Sequence, residues 1–128
     1  MNHNSRINDN VSRTLIGAAI EVHKTIGPGL LESAYAKCLR HELQLQRIAF
    51  ASEVMLPVHY KGLELETGYR LDLIVEDQLL VELKAVNAID DIHKAQLLTY
   101  LRLSGLKTGL LINFNAPTLK QGIIRMVN

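Results

Sequence analysis

Cysteine, tryptophan and rings in general are what this 128-residue chain has least of: one Cys, no Trp, and aromatic residues at 5%. A lone Cys38 excludes an internal disulfide framework and a Cys-based zinc or iron–sulfur site. So few rings give little support to a surface that stacks on single-stranded bases. Long apolar runs are also missing. Even Leu71 to Val75 is broken by Asp72, whereas a membrane-spanning helix needs about 20 apolar residues. The start, Met1 to Asn10, is polar and lacks the apolar stretch of a signal peptide. A cytoplasmic location is the resulting expectation. Neither sign of charge dominates, and a net charge of +1 excludes a protein that coats nucleic acid by charge alone.

What is present fits one ordinary folded unit. The hydrophobic fraction is 48% and the charged fraction 21%, close to globular averages, and the length suits a single domain. No internal repeat or linker-like stretch divides it. The expected organisation is a flexible tail over 1–9 and one domain over 10–128. Charge is unevenly spread: residues 1–47 carry six Lys/Arg against four Asp/Glu, 48–90 three against eight, and 91–128 five against one. A basic rim around an acidic centre suits a metal-dependent site acting on a polyanion. Solvated faces that differ in sign by chance are the plainer reading of the same distribution.

Asn10 or Ser12 is placed to cap a first helix running to about Thr25, and Gly27-Pro28-Gly29 breaks the chain. A second helix is expected over about Leu30 to Gln46, with Leu31, Ala34, Tyr35, Cys38, Leu39 and Leu43 as its buried stripe. After Arg47 the period changes. Ile48 to Tyr60 alternates through Val54, Leu56 and Val58, Lys61-Gly62 is a turn, and Leu63 to Tyr69 alternates again. Arg70–Val75 and Leu79–Val86 read as strands. Asp90 or Asp91 caps a helix to about Ser104, closed by Gly105. Thr108–Phe114 is a buried strand, and Gly122–Val127 a last short one. The fold class is α/β, a mixed sheet flanked by helices. The helix between Leu79–Val86 and Thr108–Phe114 favours parallel pairing of those two strands.

The hairpin 70–86 carries the chemistry. If Glu76-Asp77-Gln78 is a three-residue loop, Val75 faces Leu79, Ile74 faces Leu80, Asp72 faces Glu82 and Arg70 faces Lys84. Opposed residues share a face, so this register sets like charge against like. Two carboxylates that close suit a divalent cation, whose charge removes the repulsion. A solvated hairpin with diagonal pairs such as Asp72–Lys84 is the alternative, and a loop one residue shorter would break the alignment.

Asp72 followed by Glu82-Leu83-Lys84 resembles the D…E-x-K core of the PD-(D/E)-x-K nuclease superfamily, with Leu71 where the usual proline stands. Gln96-Leu97-Leu98-Thr99-Tyr100 resembles the Q-x-x-x-Y motif of RecB-like nucleases. Gly29 to Tyr35 reads G-x-x-E-x-x-Y and resembles the small GxxExxY protein family of the same superfamily. The likeness spans about Thr14 to Phe114. It implies a restriction-endonuclease-like αβββαβ core and a nuclease that hydrolyses phosphodiester bonds of DNA, with RNA as a second substrate class and Mg²⁺ or Mn²⁺ as cofactor. The implied site is Glu32, Asp72, Glu82 and Lys84 for catalysis, with Gln96 and Tyr100 positioning the substrate. The metal ligands would be Asp72, Glu82 and the Leu83 carbonyl, with Glu32 as a further candidate.

The residue chemistry agrees with these roles. Carboxylates are hard ligands suited to Mg²⁺ or Mn²⁺, and Lys84 suits a charged transition state or activation of the attacking water. Gln96 and Tyr100 fall on one helical face. The plainer alternatives are a helix-dipole role for Glu32, a core role for Tyr35 and a polar pair capping the sheet for Gln96 and Tyr100. His23, His41, His59 and His93 stand singly, without metal-ligand spacing; His93 is read as helix surface. Cys38 reads as an inert core thiol. Gly27-Pro28-Gly29 lacks the G-K-[ST] of a phosphate loop. Two competing readings remain: a catalytically silent nucleic-acid-binding or protein-interaction module of the same fold, and a structural domain whose polar residues only solvate the hairpin. The small surface leaves room for a homodimer or a protein partner.

Overall fold

The computed structural model describes residues 3–66 and 68–128, with side chains from Asn10 onward, Thr67 excepted. Helix α1 (His3–Ile26) and helix α2 (Glu32–Leu45) come first. Of the tail expected over 1–9, Met1 and Asn2 lie outside the described residues, and the backbone is helical from His3. The expected caps Asn10 and Ser12 are therefore interior to α1. Ser12 is only 3% exposed, on the stripe that buries Leu15, Ala18, Ala19 and Val22. The second helix starts two residues later than Leu30. Leu31, expected in its buried stripe, precedes the first turn and is 77% exposed, while Tyr35, Leu39 and Leu43 are buried as expected.

Among the described residues seven strands follow: β1 (Phe50–Met55), β2 (Val58–Tyr60), β3 (Leu63–Leu65), β4 (Arg70–Val75), β5 (Leu79–Lys84), β6 (Thr108–Asn113) and β7 (Ile123–Val127). Helix α3 (Asp91–Ser104) lies between β5 and β6, and a 3-10 turn (Leu119–Gly122) precedes β7. The strand expected over Ile48–Tyr60 is two strands. Pro57 has no N–H to donate to a ladder, and the chain leaves the main sheet there. β2 and β3 form a separate hairpin. Its turn residues Lys61 and Gly62 have φ of 46° and 89°, as a tight primed turn requires. The strand expected over Leu63–Tyr69 is confined to β3 and then spans Thr67, outside the described residues.

The main sheet has the order β1-β4-β5-β6-β7. β5 and β6 are parallel, joined by α3 as crossover, and the other neighbours are antiparallel. It is a mixed α/β sheet between helical layers, consistent with the restriction-endonuclease-like fold. On one face α1 and α2 bury Leu73, Val75, Val81, Leu83, Leu110 and Ile112. On the other, α3 buries Leu71, Leu80 and Leu111 under Leu97, Tyr100 and Leu101. Alternation would put Leu71 and Leu73 on one face, yet they belong to opposite cores. β4 rolls over at Asp72, and that roll positions the site.

Candidate active site

The three-residue loop Glu76-Asp77-Gln78 holds, with φ of 53° and 58° at its first two residues, and the hairpin has the expected register at Leu73↔Val81, Ile74↔Leu80 and Val75↔Leu79. The ladder then stops. Arg70 and Lys84 are not paired; Arg70 instead faces Met55 of β1. Asp72 and Glu82 meet through side chains rather than as ladder partners. The Asp72 amide donates to Glu82 Oε2 at 2.7 Å, and the Leu83 amide donates to Asp72 Oδ2 at 2.8 Å. Each carboxylate thus occupies a strand amide that the splayed ladder has released. In an extended strand a residue's N–H and C=O leave on one edge, so the Leu83 carbonyl also faces the gap between β4 and β5.

The same splay appears on the β1 side. Ser52↔Leu73 and Val54↔Leu71 are paired, but Glu53 and Asp72 between them are not. Glu53 has φ of 51°, a left-handed conformation that a non-glycine residue adopts at a cost of roughly 1–3 kcal/mol. The distortion at Glu53 accompanies the loss of its ladder pair with Asp72, whose amide turns to Glu82.

Glu32 is the first residue of α2. Its placement follows from the loop before it. Gly29 has φ of 106°, which favours glycine. The Tyr35 hydroxyl donates to the Gly27 carbonyl at 2.6 Å and accepts from the Leu30 amide at 3.1 Å. Its ring stacks on Phe114 at 4.7 Å. Tyr35 is therefore a core residue that ties the loop down one turn from Glu32. Tyr35→Phe keeps the stack and removes both bonds. We expect a loss of about 1–3 kcal/mol in unfolding free energy, read by urea titration. A change under about 0.5 kcal/mol would mean the hydroxyl does not hold the loop.

Glu32, Asp72 and Leu83 line one cleft with Ser33, Ala36, Lys37, Arg40, Glu53 and Leu73, of volume ≈ 400 Å³. Burial is the main cause of raised carboxyl pKa values throughout the cluster. Glu82 is only 6% exposed, and burial, then the Asp72 charge, push its carboxyl up to about 8; the Asp72 amide and Lys84 oppose the rise. Burial likewise raises Asp72, against the Leu83 amide and Lys84. Glu32 is more exposed; partial desolvation at the cleft raises its carboxyl, against Lys84 and with the Asp72 charge adding to the rise. The Lys84 charge thus acts on all three.

Helix α3 brings Gln96 and Tyr100 alongside. Tyr100 is buried, and its pKa is raised by that burial and then by the Glu82 charge, while a hydrogen bond with the Gln96 side chain opposes the rise. Gln96 itself is exposed. His93, read from the sequence as surface, is half-buried. Its Nδ1 accepts the Asp90 amide at 3.0 Å at the start of α3.

Several neighbours escaped the sequence reading. Lys37 and Arg40 follow Glu32 along α2, a spacing visible in the sequence. Asn113 is the one polar residue near the end of an apolar strand. Its Oδ1 accepts the Val86 amide at 3.0 Å and its Nδ2 donates to the Val86 carbonyl at 2.9 Å. With the Phe114 amide donating to the Lys84 carbonyl at 2.9 Å, this fixes the chain from Lys84 to Val86. Glu53 had no local signal, because its place depends on the β1–β4 pairing.

No group of three His, Cys, Asp or Glu side chains is close enough to hold a metal among the described residues. The donor chemistry nevertheless fits a small divalent cation. Mg²⁺ is commonly held by one or two carboxylates with water completing the shell. The amide bonds use one oxygen each of Asp72 and Glu82 and leave the other. A cation would also offset the Asp72 charge, which adds to the burial-driven rise at Glu82.

The mixed sheet thus carries an acidic pair and a lysine at the splayed end of its central hairpin. The chain matches the family model described as the PD-(D/E)XK nuclease superfamily over residues 9–126, and it belongs to that superfamily. No curated protein and no solved structure gives a significant match. PD-(D/E)XK nucleases generally use divalent metal ions, and no helix among the described residues is long and apolar enough to cross a membrane.

Proposed function

We propose that this protein is a metal-dependent nuclease that hydrolyses phosphodiester bonds of DNA, with Mg²⁺ or Mn²⁺ held by Asp72, Glu82 and the Leu83 carbonyl. The observation that carries the reading is the reciprocal amide bonding of Asp72 and Glu82 at the splayed ladder. It fixes a half-buried and a buried carboxylate side by side, at a cost in desolvation and charge that a fold built only for stability has no reason to keep. The Gly29–Glu32–Tyr35 pattern supports assignment to the GxxExxY family, and DNA is favoured over RNA only by the resemblance to RecB-like nucleases.

When bound, the metal supplies Lewis acidity toward the phosphate and lowers the pKa of water. The chain's own groups do the rest. The Lys84 charge acts on all three carboxyls of the cluster, and there it stabilises negative charge developing on the phosphoryl oxygens. Glu32 stands across the cleft on α2, placed to orient the attacking water. Gln96 and Tyr100 present an amide and a hydroxyl from α3 for positioning the phosphate. The low exposure of Glu82 excludes bulk water, which strengthens each of these interactions.

The purified protein is expected to cleave DNA with Mn²⁺ or Mg²⁺ and not in EDTA, and Glu82→Ala is expected to be inactive. Cleavage that persists in EDTA, or in Glu82→Ala, would place the activity elsewhere. A second reading, a catalytically silent nucleic-acid-binding module of the same fold, is favoured by the lack of a third metal-binding side chain close to the pair among the described residues. It predicts DNA binding without cleavage under every metal.

A further inference from the structure

The cleft has two unlike walls. Its floor is acidic, with Asp72 and Glu53, and Glu32 enters from the start of α2. Farther along the same helix, Lys37 and Arg40 line it. Glu32, Ala36 and Arg40 follow one another at four-residue steps, hence lie on one helical face. At 1.5 Å per residue, Lys37 stands about 7–8 Å and Arg40 about 12 Å along the axis from Glu32. The Arg40 charge reaches Asp72 and favours its ionised form. Among the described residues neither cation is engaged in an ion pair. Glu42 follows on α2 but lines the neighbouring groove instead, with His41 and Cys38; Lys37 stands on the ridge between the two.

A polyanion entering a cleft floored by carboxylates meets repulsion everywhere except at the metal and at fixed cations. Lys84 serves the reacting phosphate. The phosphates on either side need charge of their own, and only one wall of the cleft provides it. We propose that Lys37 and Arg40 form a phosphate track: they hold the backbone phosphates next to the scissile one, so that the nucleic-acid strand runs along α2 toward its C-terminal end. Arg40 grips a phosphate with its planar fork of donors, and Lys37 acts as a point charge. The proposal rests on the nuclease reading for its substrate, and it makes both cations substrate-positioning residues.

The test is the salt dependence of binding to a labelled DNA oligonucleotide, measured by fluorescence anisotropy with Ca²⁺ present, beside steady-state cleavage with Mn²⁺. Each phosphate contact contributes about 0.7–0.9 to the slope of log K against log salt. The double variant Lys37→Gln/Arg40→Gln should lower the slope by about 1.5. It should raise KM roughly tenfold or more while kcat stays nearly unchanged. Arg40→Lys should keep the slope. Lys107→Gln, just before β6 and at the far end of that strand from Asn113, should alter neither quantity.

An unchanged slope in the double variant overturns the track, whether or not the wild type cleaves. So does an Arg40→Gln variant that shifts only the Mn²⁺ concentration giving half-maximal activity, because Arg40 would then merely balance Asp72. A wild type that binds with the expected slope but never cleaves leaves the track standing and refutes the nuclease reading instead.

Discussion

Lys84→Ala is expected to lower DNA cleavage at saturating Mn²⁺ by about 10²–10³-fold, the usual effect of removing one preorganised charge from a transition state. Folding should barely change. Lys84 is half-buried at the end of β5, and the backbone around it is held by Phe114 and by the Asn113 amide bonds to Val86. Those bonds do not involve the side chain. The lysine charge holds down the carboxyl pKa values of Glu32, Asp72 and Glu82 and also repels a divalent cation, so its loss should change the Mn²⁺ concentration needed at neutral pH. Saturating metal separates the two effects: kcat stays low in Lys84→Ala once any difference in metal binding has been titrated away. Thermal melting checks that the variant is folded. Cleavage within about threefold of wild type at saturating Mn²⁺, an effect far below that expected of a transition-state charge, would remove Lys84 from the reaction.

The parts of the fold that were legible in the sequence are those set by local counting. The three polar residues Glu76-Asp77-Gln78 fix the hairpin register, because side-chain period two leaves one alignment that buries Leu73 and Val75 together. The helix between two apolar strands implies their parallel pairing, which β5 and β6 show. Asp90 and Gly105 bracket α3 by ordinary capping chemistry, and the structure has Asp90 as N-cap and Gly105 in the left-handed conformation. Where the reading failed, a distant partner decided the outcome. The apolar alternation Val54, Leu56, Val58 runs through Pro57 without a visible break, so one strand was expected where the chain changes sheets. Helix α1 begins before its best capping residues, because the buried stripe around Ser12 and Leu15 prolongs it over a polar segment.

The candidate site divides in the same way. Asp72, Glu82 and Lys84 stand out as residue types at a spacing, and the hairpin brings the two acids together. Their actual contact is not the cross-strand pairing that alternation suggests. It arises because β4 rolls between its two cores, with Leu71 under α3 and Leu73 under α2, and because Glu53 leaves the ladder. Both events need the packed layers. Asn113, Lys37 and Arg40 were readable in principle: each is a polar residue on a face or strand that otherwise looks committed to the core or to solvent. Such exceptions gain meaning only once the neighbouring element is known.

The metal-free protein is expected to lose stability as pH rises from about 5 to 9, and divalent metal to restore it. The Glu82 carboxyl has an ordinary value of 4.5 and is pushed up to about 8 in the fold. Between those values the folded state holds a proton that the unfolded chain has released. The stabilising contribution is therefore complete below about 4.5 and is lost as pH rises through about 8, by an amount on the order of 4 kcal/mol. Raised Asp72 and Glu32 act in the same direction. Metal requires ionised ligands, so its affinity should climb across the same window, and at a hundredfold excess over Kd it adds about 2.7 kcal/mol. Glu82→Gln should flatten the pH profile. Asp72→Asn keeps an oxygen able to accept the Leu83 amide while removing the charge that faces Glu82. In EDTA it should be as stable as wild type or more so, by about 0.5–1 kcal/mol on the scale of cross-strand pairs, and it should lose the stabilisation by Mn²⁺. If Asp72 instead served only the scaffold, paired with Lys84, its loss would destabilise and the metal would do nothing to either protein. Thermal melts of wild type, Glu82→Gln and Asp72→Asn at several pH values, with EDTA and with Mn²⁺, distinguish these outcomes. A clear drop in melting temperature for metal-free Asp72→Asn, together with no Mn²⁺ shift in the wild type, would overturn the metal site and the nuclease reading built on it.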